Sequence, residues 1–159
     1  MNRKIFAISV IIFALDQISK NIVGIVLDLN ESITIIKNFF SITLVHNYGA
    51  AWNLFQNRTL LIIIGTIIAI IIIYRYMYSF QMNKRNIIAF GLLTGGIFGN
   101  LVDRVLHGYV IDFVSFNIFG FNFPVFNISD MSIVIGVGLL IIAIIKGEDK
   151  IDKVNSKKK

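Results

Sequence analysis

The chain has 159 residues, 56% of them hydrophobic, and a formal net charge of +6. A soluble domain of this size cannot hide so much apolar surface, so a membrane protein is expected. The lack of cysteine excludes disulfides, thiolate nucleophiles and cysteine metal sites, and the two histidines, His46 and His107, are too few for a His-rich zinc or haem centre.

The first apolar run covers residues 5–27. It opens like a secretory leader, with Arg3 and Lys4 ahead of IFAISVIIFAL. No small-residue cleavage site follows and the run continues past Asp16 and Lys20, so it is read as a retained span. Loop 28–59 is too long for a simple connection. Period-2 patches within it, Ile33 and Ile35, then Phe40, Ile42 and Leu44, predict a small sheet on the outer membrane surface. HNYGAAW breaks that sheet with a turn, and Tyr48 and Trp52 suit the headgroup belt. Further spans are predicted at 60–78, 87–106 and 128–145. The uncharged part of the last, 131–145, is short, which draws Asp130 into the outer edge of the bilayer. Segment 115–126, SFNIFGFNFPVF, is too short to cross and carries Asn117, Asn122 and Pro124. It is expected along the outer interface, with Phe116, Phe119, Phe121 and Phe123 at headgroup depth.

Lysine and arginine set the direction. Arg3, Lys4, Arg75, Lys84, Arg85, Lys146, Lys150, Lys153 and Lys157 to Lys159 fall on one side; the loops of the other side hold only Lys37 and Arg58. Both termini are thus expected in the cytoplasm, and loops 28–59 and 107–127 outside. Such a charge pattern suits membrane orientation better than nucleic-acid binding, and no nucleic-acid partner is expected. Residues 1–148 form a single integral membrane domain in this reading, and 149–159 a basic cytoplasmic tail.

Polar residues inside spans are costly, and function is the default reading. Asp16 and Lys20, at i and i+4, share a helix face and can pair, while Lys20 can also reach outward. The pair reads either as a structural bridge that fixes helix register or as part of a site. Gly91, Gly95 and Gly99 form a small-xxx-small groove, read first as helix packing. Asn100, Asp103 and Arg104 share an arc near the outer end of the third span. Asp103 and Arg104 admit the reading of an interfacial charge pair; Asn100, deeper and uncharged, does not. Asp112 follows the third span and Asp130 opens the fourth, at about one depth. Brought together in a partly dry site they would share a proton. The ionised member would take a proton from water and the protonated one would polarise a carbonyl. From spacing alone they also read, and more simply, as solvated loop acids. Two other classes stay open on the residues alone. One is a serine peptidase using Ser129 or Ser132 with Lys20. The other is a small transporter or proton-conducting protein lined by Asp16, Asp103, Asp112 and Asp130.

Five blocks run in order along most of the chain: DQISK at 16–20, NYGAAW at 47–52, GNLVDR at 99–104, VIDF at 110–113 and FNISD at 126–130. In these blocks the sequence resembles the lipoprotein signal peptidase (signal peptidase II) family. The resemblance implies a membrane aspartyl endopeptidase of the bacterial cytoplasmic membrane, with its active site on the outer face. It would remove the signal peptide from diacylglyceryl-modified prolipoproteins, cutting just before the lipidated cysteine. It implies four transmembrane helices with a small extracytoplasmic β-cradle in the first outer loop. The catalytic pair falls on Asp112 and Asp130. Substrate-binding or site-supporting roles fall on Asp16, Lys20, Asn47, Gly49, Asn100, Asp103, Arg104 and Asn127. No metal or cofactor is implied; the partners are the lipid-modified substrate, membrane lipid and a globomycin-type inhibitor, and a monomer is expected. Ser19, Trp52 and Ser129 stand where Thr, Phe and Ala are usual, and Ser129 brings a hydroxyl placed to donate to Asp130.

Overall fold

The computed structural model describes residues 2–49 and 54–149. Its helices are α1 (Arg3–Val26), α2 (Thr59–Met77), α3 (Lys84–His107) and α4 (Ile128–Ile145). Its strands are β1 (Ser32–Ile36), β2 (Phe40–Asn47), β3 (Val110–Ile118) and β4 (Phe121–Asn122). All four helices are long and apolar enough to cross a membrane. They match the four spans read from the sequence, each end within about three residues of its expected place, the usual scatter of helix ends. Trp52 and the tail from residue 150 onward, both given places by the sequence, lie outside the described residues.

Asparagines start three of the helices. The side-chain oxygens of Asn2, Asn83 and Asn127 accept from backbone N–H groups of Lys4, Asn86 and Asp130 at 2.9, 3.0 and 2.9 Å, satisfying donors that a helix end leaves free. α2 starts at Arg58 with no side-chain cap. It is apolar nearly all round, which suits a helix held by lipid more than by a core. α3 is the central helix and packs against the other three. Its glycines make that possible. A Cβ on Gly95 would lie 2.7 Å from the Ser9 carbonyl of α1, and one on Gly99 would lie 2.6 Å from Asp16 Oδ2 and collide with Ser129 Oγ of α4. The groove therefore seats the protein's own helices.

At one end of the bundle Ile5, Met77, Phe80, Phe90 and Ala143 close a small core. Beside it the Glu148 carboxylate accepts from Asn83 and Asn86 at 2.6 and 2.9 Å and pairs with Arg85. This knot ties the end of α4 to the start of α3. The opposite end carries the sheet.

The sheet is antiparallel in the order β1-β2-β3-β4. It corrects one expectation: the cradle is not confined to the first outer loop, because β3 and β4 come from the second. The alternation of Ile33, Ile35, Phe40, Ile42 and Leu44 falls on β1, which is exposed throughout, and on β2, where Leu44 alone is buried. β3, VIDFVSFNI, is apolar on both faces and largely buried at its start, so no period-2 signal marks it. Segment 115–126 forms no helix. The chain continues as β3, reverses at Phe119 and Gly120 with φ of 51° and 87°, and returns along β4.

Candidate active site

The end of β2, the start of β3, the C-terminal part of α3 and the start of α4 meet at one point. Pairing of Asn47 with Val110 and of Val45 with Asp112 sets Asn47 and Asp112 side by side. Asn47 Nδ2 donates to Asp112 Oδ2 at 2.9 Å. The other carboxylate oxygen of Asp112 accepts from Asn127 Nδ2 at 2.7 Å.

Asn127 reaches the second acid as well. Its Oδ1 accepts from the Asp130 backbone N–H at 2.9 Å, and Asp130 Oδ2 accepts from the Asn127 backbone N–H at 3.3 Å, a reciprocal cap on α4. Asp130 Oδ1 accepts from Asn100 Nδ2 at 2.7 Å. Thus the two acids read from the sequence as a pair stand in one hydrogen-bonded frame.

Beneath that frame lies a buried ionic layer. Lys20 Nζ sits 2.7 Å from Asp16 Oδ2 and 2.8 Å from Asp103 Oδ2, and donates to Asn100 Oδ1 at 3.1 Å. Lys20 is 2% exposed, so it does not reach outward as its length allows; two carboxylates compensate its charge inside. Asp16 and Lys20 do pair. Asp103 and Arg104 do not form the charge pair that their adjacency suggested, because neighbours on a helix point about 100° apart. Asp103 turns to Lys20, while Arg104 donates to the Gly49 carbonyl at 2.8 Å and the Asn100 carbonyl at 3.2 Å. Gly49 N–H in turn donates to Asn47 Oδ1 at 2.9 Å.

The layer also holds the backbone that carries the acids. Asp103 Oδ2 accepts from Ile111 N–H at 3.2 Å, one residue before Asp112. Asp16 Oδ1 accepts from Ser129 N–H at 2.8 Å, one residue before Asp130. All ten residues singled out in the sequence therefore meet here. Gln17 was missed: its Nε2 donates to Asp103 Oδ1 at 2.8 Å and to Asp16 Oδ2 at 3.3 Å. A polar residue beside Asp16 in a span was the available signal. The Ser129 hydroxyl does not donate to Asp130. It is fully buried beside Gly99, with no hydrogen-bond partner.

Asp112 is 2% exposed. Burial, and then the charge of Asp130, push its carboxyl up to about 7, against the opposing pull of Asn47, Asn127 and Lys20. A cleft of about 1060 Å³ opens over the pair. β2 and Arg104 bound one side, segment 122–126 another, and Met131, Val134 and Ile135 of α4 a third. Its polar floor and apolar walls suit an extended chain with an apolar neighbour.

The same architecture occurs in solved structures. A bacterial membrane enzyme determined by the in meso method at 2.3 Å resolution superposes with a TM-score of 0.81 and 39% identity over 92% of this chain and 90% of that one. A second, at 1.9 Å, gives 0.78 and 39% over 92% and 95%. Fold and site thus define a polytopic membrane enzyme. The family model for signal peptidase (SPase) II matches residues 8–146. The lipoprotein signal peptidase of Staphylococcus aureus (strain bovine RF122 / ET3-1) is 42% identical over 143 residues, 89% of this chain and 86% of its own length. The chain belongs to the signal peptidase II family and is a membrane protease.

Proposed function

We propose that this protein is an aspartic endopeptidase that removes the signal peptide of lipid-modified bacterial prolipoproteins, with Asp112 and Asp130 as its catalytic pair. The observation that carries the reading is the Asn127 side chain, which donates to Asp112 while its oxygen caps the backbone of Asp130. One amide thereby fixes the mutual position of two acids at the floor of a cleft. A buried Asp112 beside a half-buried Asp130 favours one proton held between them, which equips the pair to activate water and to polarise a carbonyl. Asn47, Asn100 and Asn127 orient the pair. Asp16, Lys20 and Asp103 hold it from below, and Arg104 fixes Gly49 at the rim. The apolar wall of α4 suits the signal helix and its lipid anchor, and the substrate class follows from the named relatives. A globomycin-type inhibitor would occupy the same cleft.

The ends of the bundle support the expected orientation. Arg85 and Lys146 lie by the Glu148 knot, at the end where Ile5 packs, and the site lies at the other. A basic end favours the cytoplasm, which puts the cleft on the outer side of the cytoplasmic membrane, where a translocated lipoprotein presents its cleavage site. The cradle then lies on the outer membrane surface.

The rival readings lose their geometry. Lys20 Nζ is engaged by Asp16, Asp103 and Asn100 and makes no hydrogen bond to Ser129 or Ser132, which counts against a Ser–Lys unit. Asp16, Asp103, Asp112 and Asp130 are gathered at one end rather than strung through the bundle as a conduction path requires. The test is an in vitro cleavage assay with lipidated and unlipidated prolipoprotein. Only the lipidated form should be cut efficiently. Asp112→Asn and Asp130→Asn should each abolish cleavage, with the double variant scarcely worse than either. Substantial turnover by a folded single variant would refute the pair.

A further inference from the structure

Each oxygen of the two carboxylates has a donor, but the donors differ in kind. Asp112 sits within a strand and receives two neutral side-chain amides, from Asn47 and Asn127. Asp130 sits at the third position of α4. There its Oδ2 accepts from the Asn127 backbone N–H, and the positive end of the helix dipole favours a negative charge.

The amides that serve the pair cannot turn over. Asn100 Oδ1 accepts from both Lys20 Nζ and Asn127 Nδ2, at 3.1 Å each. An amide in the opposite orientation would set N–H against two donors, so Asn100 must present its N–H to Asp130. Lys20 therefore acts on Asp130 through one polarised amide. Asn127 is locked in the same way. Its oxygen is taken by Asp130 N–H, so its nitrogen must face Asp112. Around the pair stand Asp16 and Lys20 from α1, Asp103 and Arg104 from α3, and His46 from β2. Lys20 is held directly between Asp16 and Asp103, and Asp112 makes no hydrogen bond or ion pair to a cation among the described residues.

We propose that these two locked amides divide the work of the pair: Asp130 is the carboxylate that takes the proton of the attacking water, and Asp112 is the carboxylic acid that donates to the scissile carbonyl. The division rests on the aspartic reading above. In the first step a water O–H bond breaks, its proton passes to Asp130, and the water oxygen bonds to the carbonyl carbon. The carbonyl π pair moves to oxygen, which takes the Asp112 proton, leaving a neutral gem-diol. In the second step the amide nitrogen takes the proton from Asp130 and the C–N bond breaks. A diol hydroxyl returns its proton to Asp112 as the C=O bond re-forms. Water is consumed, and each acid regains its starting state. A buried Asp112 carboxyl raised to about 7 suits the acid role.

Isotope-edited infrared spectroscopy tests the division independently of cleavage. Full-length protein with ¹³C-carboxyl aspartate is compared with Asp112→Asn and Asp130→Asn at about pH 6, below the value of about 7 to which burial raises Asp112. The expected result is a protonated carboxyl band in the wild type that persists in Asp130→Asn and vanishes in Asp112→Asn. Loss in Asp130→Asn with persistence in Asp112→Asn would reverse the roles. Loss in both, persistence in both, or no band in the wild type would overturn a fixed division. Cleavage surviving in either folded single variant would instead overturn the underlying aspartic reading. Should a variant fail to fold, ¹⁵N NMR of wild-type side-chain amides decides. The Asn47 amide should shift as pH passes neutrality and the Asn100 amide should not; the reverse order overturns the assignment.

Discussion

Replacing Asp112 by Asn should abolish cleavage and yet stabilise the fold at alkaline pH. The carboxyl moves from 3.8 to about 7 on folding. At about 1.4 kcal/mol for each pKa unit this corresponds to about 4 kcal/mol. The sign follows from proton linkage. Between about pH 4 and pH 7 the folded state keeps the Asp112 proton and the unfolded state does not, so stability falls as pH rises through that window and then levels off. An asparagine never ionises and removes that fall. It has a cost of its own: its oxygen accepts from only one of the Asn47 and Asn127 amides and its nitrogen faces the other, a loss of about 1 kcal/mol. The variant should therefore be slightly less stable than wild type near pH 4 and about 3 kcal/mol more stable near pH 8, with the curves crossing between. Thermal unfolding in detergent from about pH 4 to about pH 9, with cleavage measured on the same samples, checks both halves. A difference that stays constant across pH would refute the claim that Asp112 is a buried acid with a raised proton affinity.

Asn100→Ala and Arg104→Ala should each lower kcat/KM by roughly tenfold to a hundredfold per folded molecule, since each strips about 1–3 kcal/mol of hydrogen bonding from the acids or the rim. Asp16→Ala should act mainly on stability, costing about 3–5 kcal/mol by leaving Lys20 half-compensated; melting curves beside kinetics separate the two. Ser129→Ala removes a buried hydroxyl without a partner. It should raise stability by about 1 kcal/mol and leave cleavage intact, whereas loss of cleavage would revive a serine mechanism. EDTA and thiol or serine reagents should leave activity unchanged, and activity lost to chelation and restored by zinc would overturn the aspartic assignment. Asn122→Cys, on the exposed strand β4 of a chain without cysteine, should react with an impermeant thiol reagent outside intact cells. Labelling only after permeabilisation would put the cleft on the wrong side of the membrane.

The four helices were legible because a bilayer demands long apolar runs, and the runs at 60–78 and 128–145 have no competing interpretation. The acids were legible because an uncompensated carboxylate in an apolar stretch is rare. What the sequence hid was which group compensates which. Lys20 and Asp103 lie 83 positions apart and meet only because Gly95 and Gly99 let α1 approach α3. Asn127 caps α4 with its oxygen, and its second role appears only when β3 brings Asp112 to its nitrogen. Asp103 and Arg104 misled because adjacency in a helix is not proximity of side chains. β3 was missed for a related reason: a strand covered on both sides loses the alternation by which strands are recognised.

The buried ions also bear on the register of the sheet. β2 and β3 pair across an irregularity between Ile42 and Val45, and at the start of β3, VIDFV, both faces are apolar apart from Asp112, so the pattern that separates the faces defines register weakly there. A slip of one residue would turn Asp112 to the opposite face of β3 and would replace it at the cleft by Ile111 or Phe113. Apolar burial hardly distinguishes the two arrangements. The hydrogen bonds do. Only the observed register lets Ile111 N–H reach Asp103 and Asp112 receive both asparagine amides. A slipped strand would leave Asp103 with one donor fewer and Asn47 and Asn127 with buried N–H groups unmatched, at about 1–3 kcal/mol each. The ionic layer in the helices thus selects the strand register that places Asp112 opposite Asp130. A buried salt bridge adds little net stability; here its contribution is to admit only one way of assembling the pair.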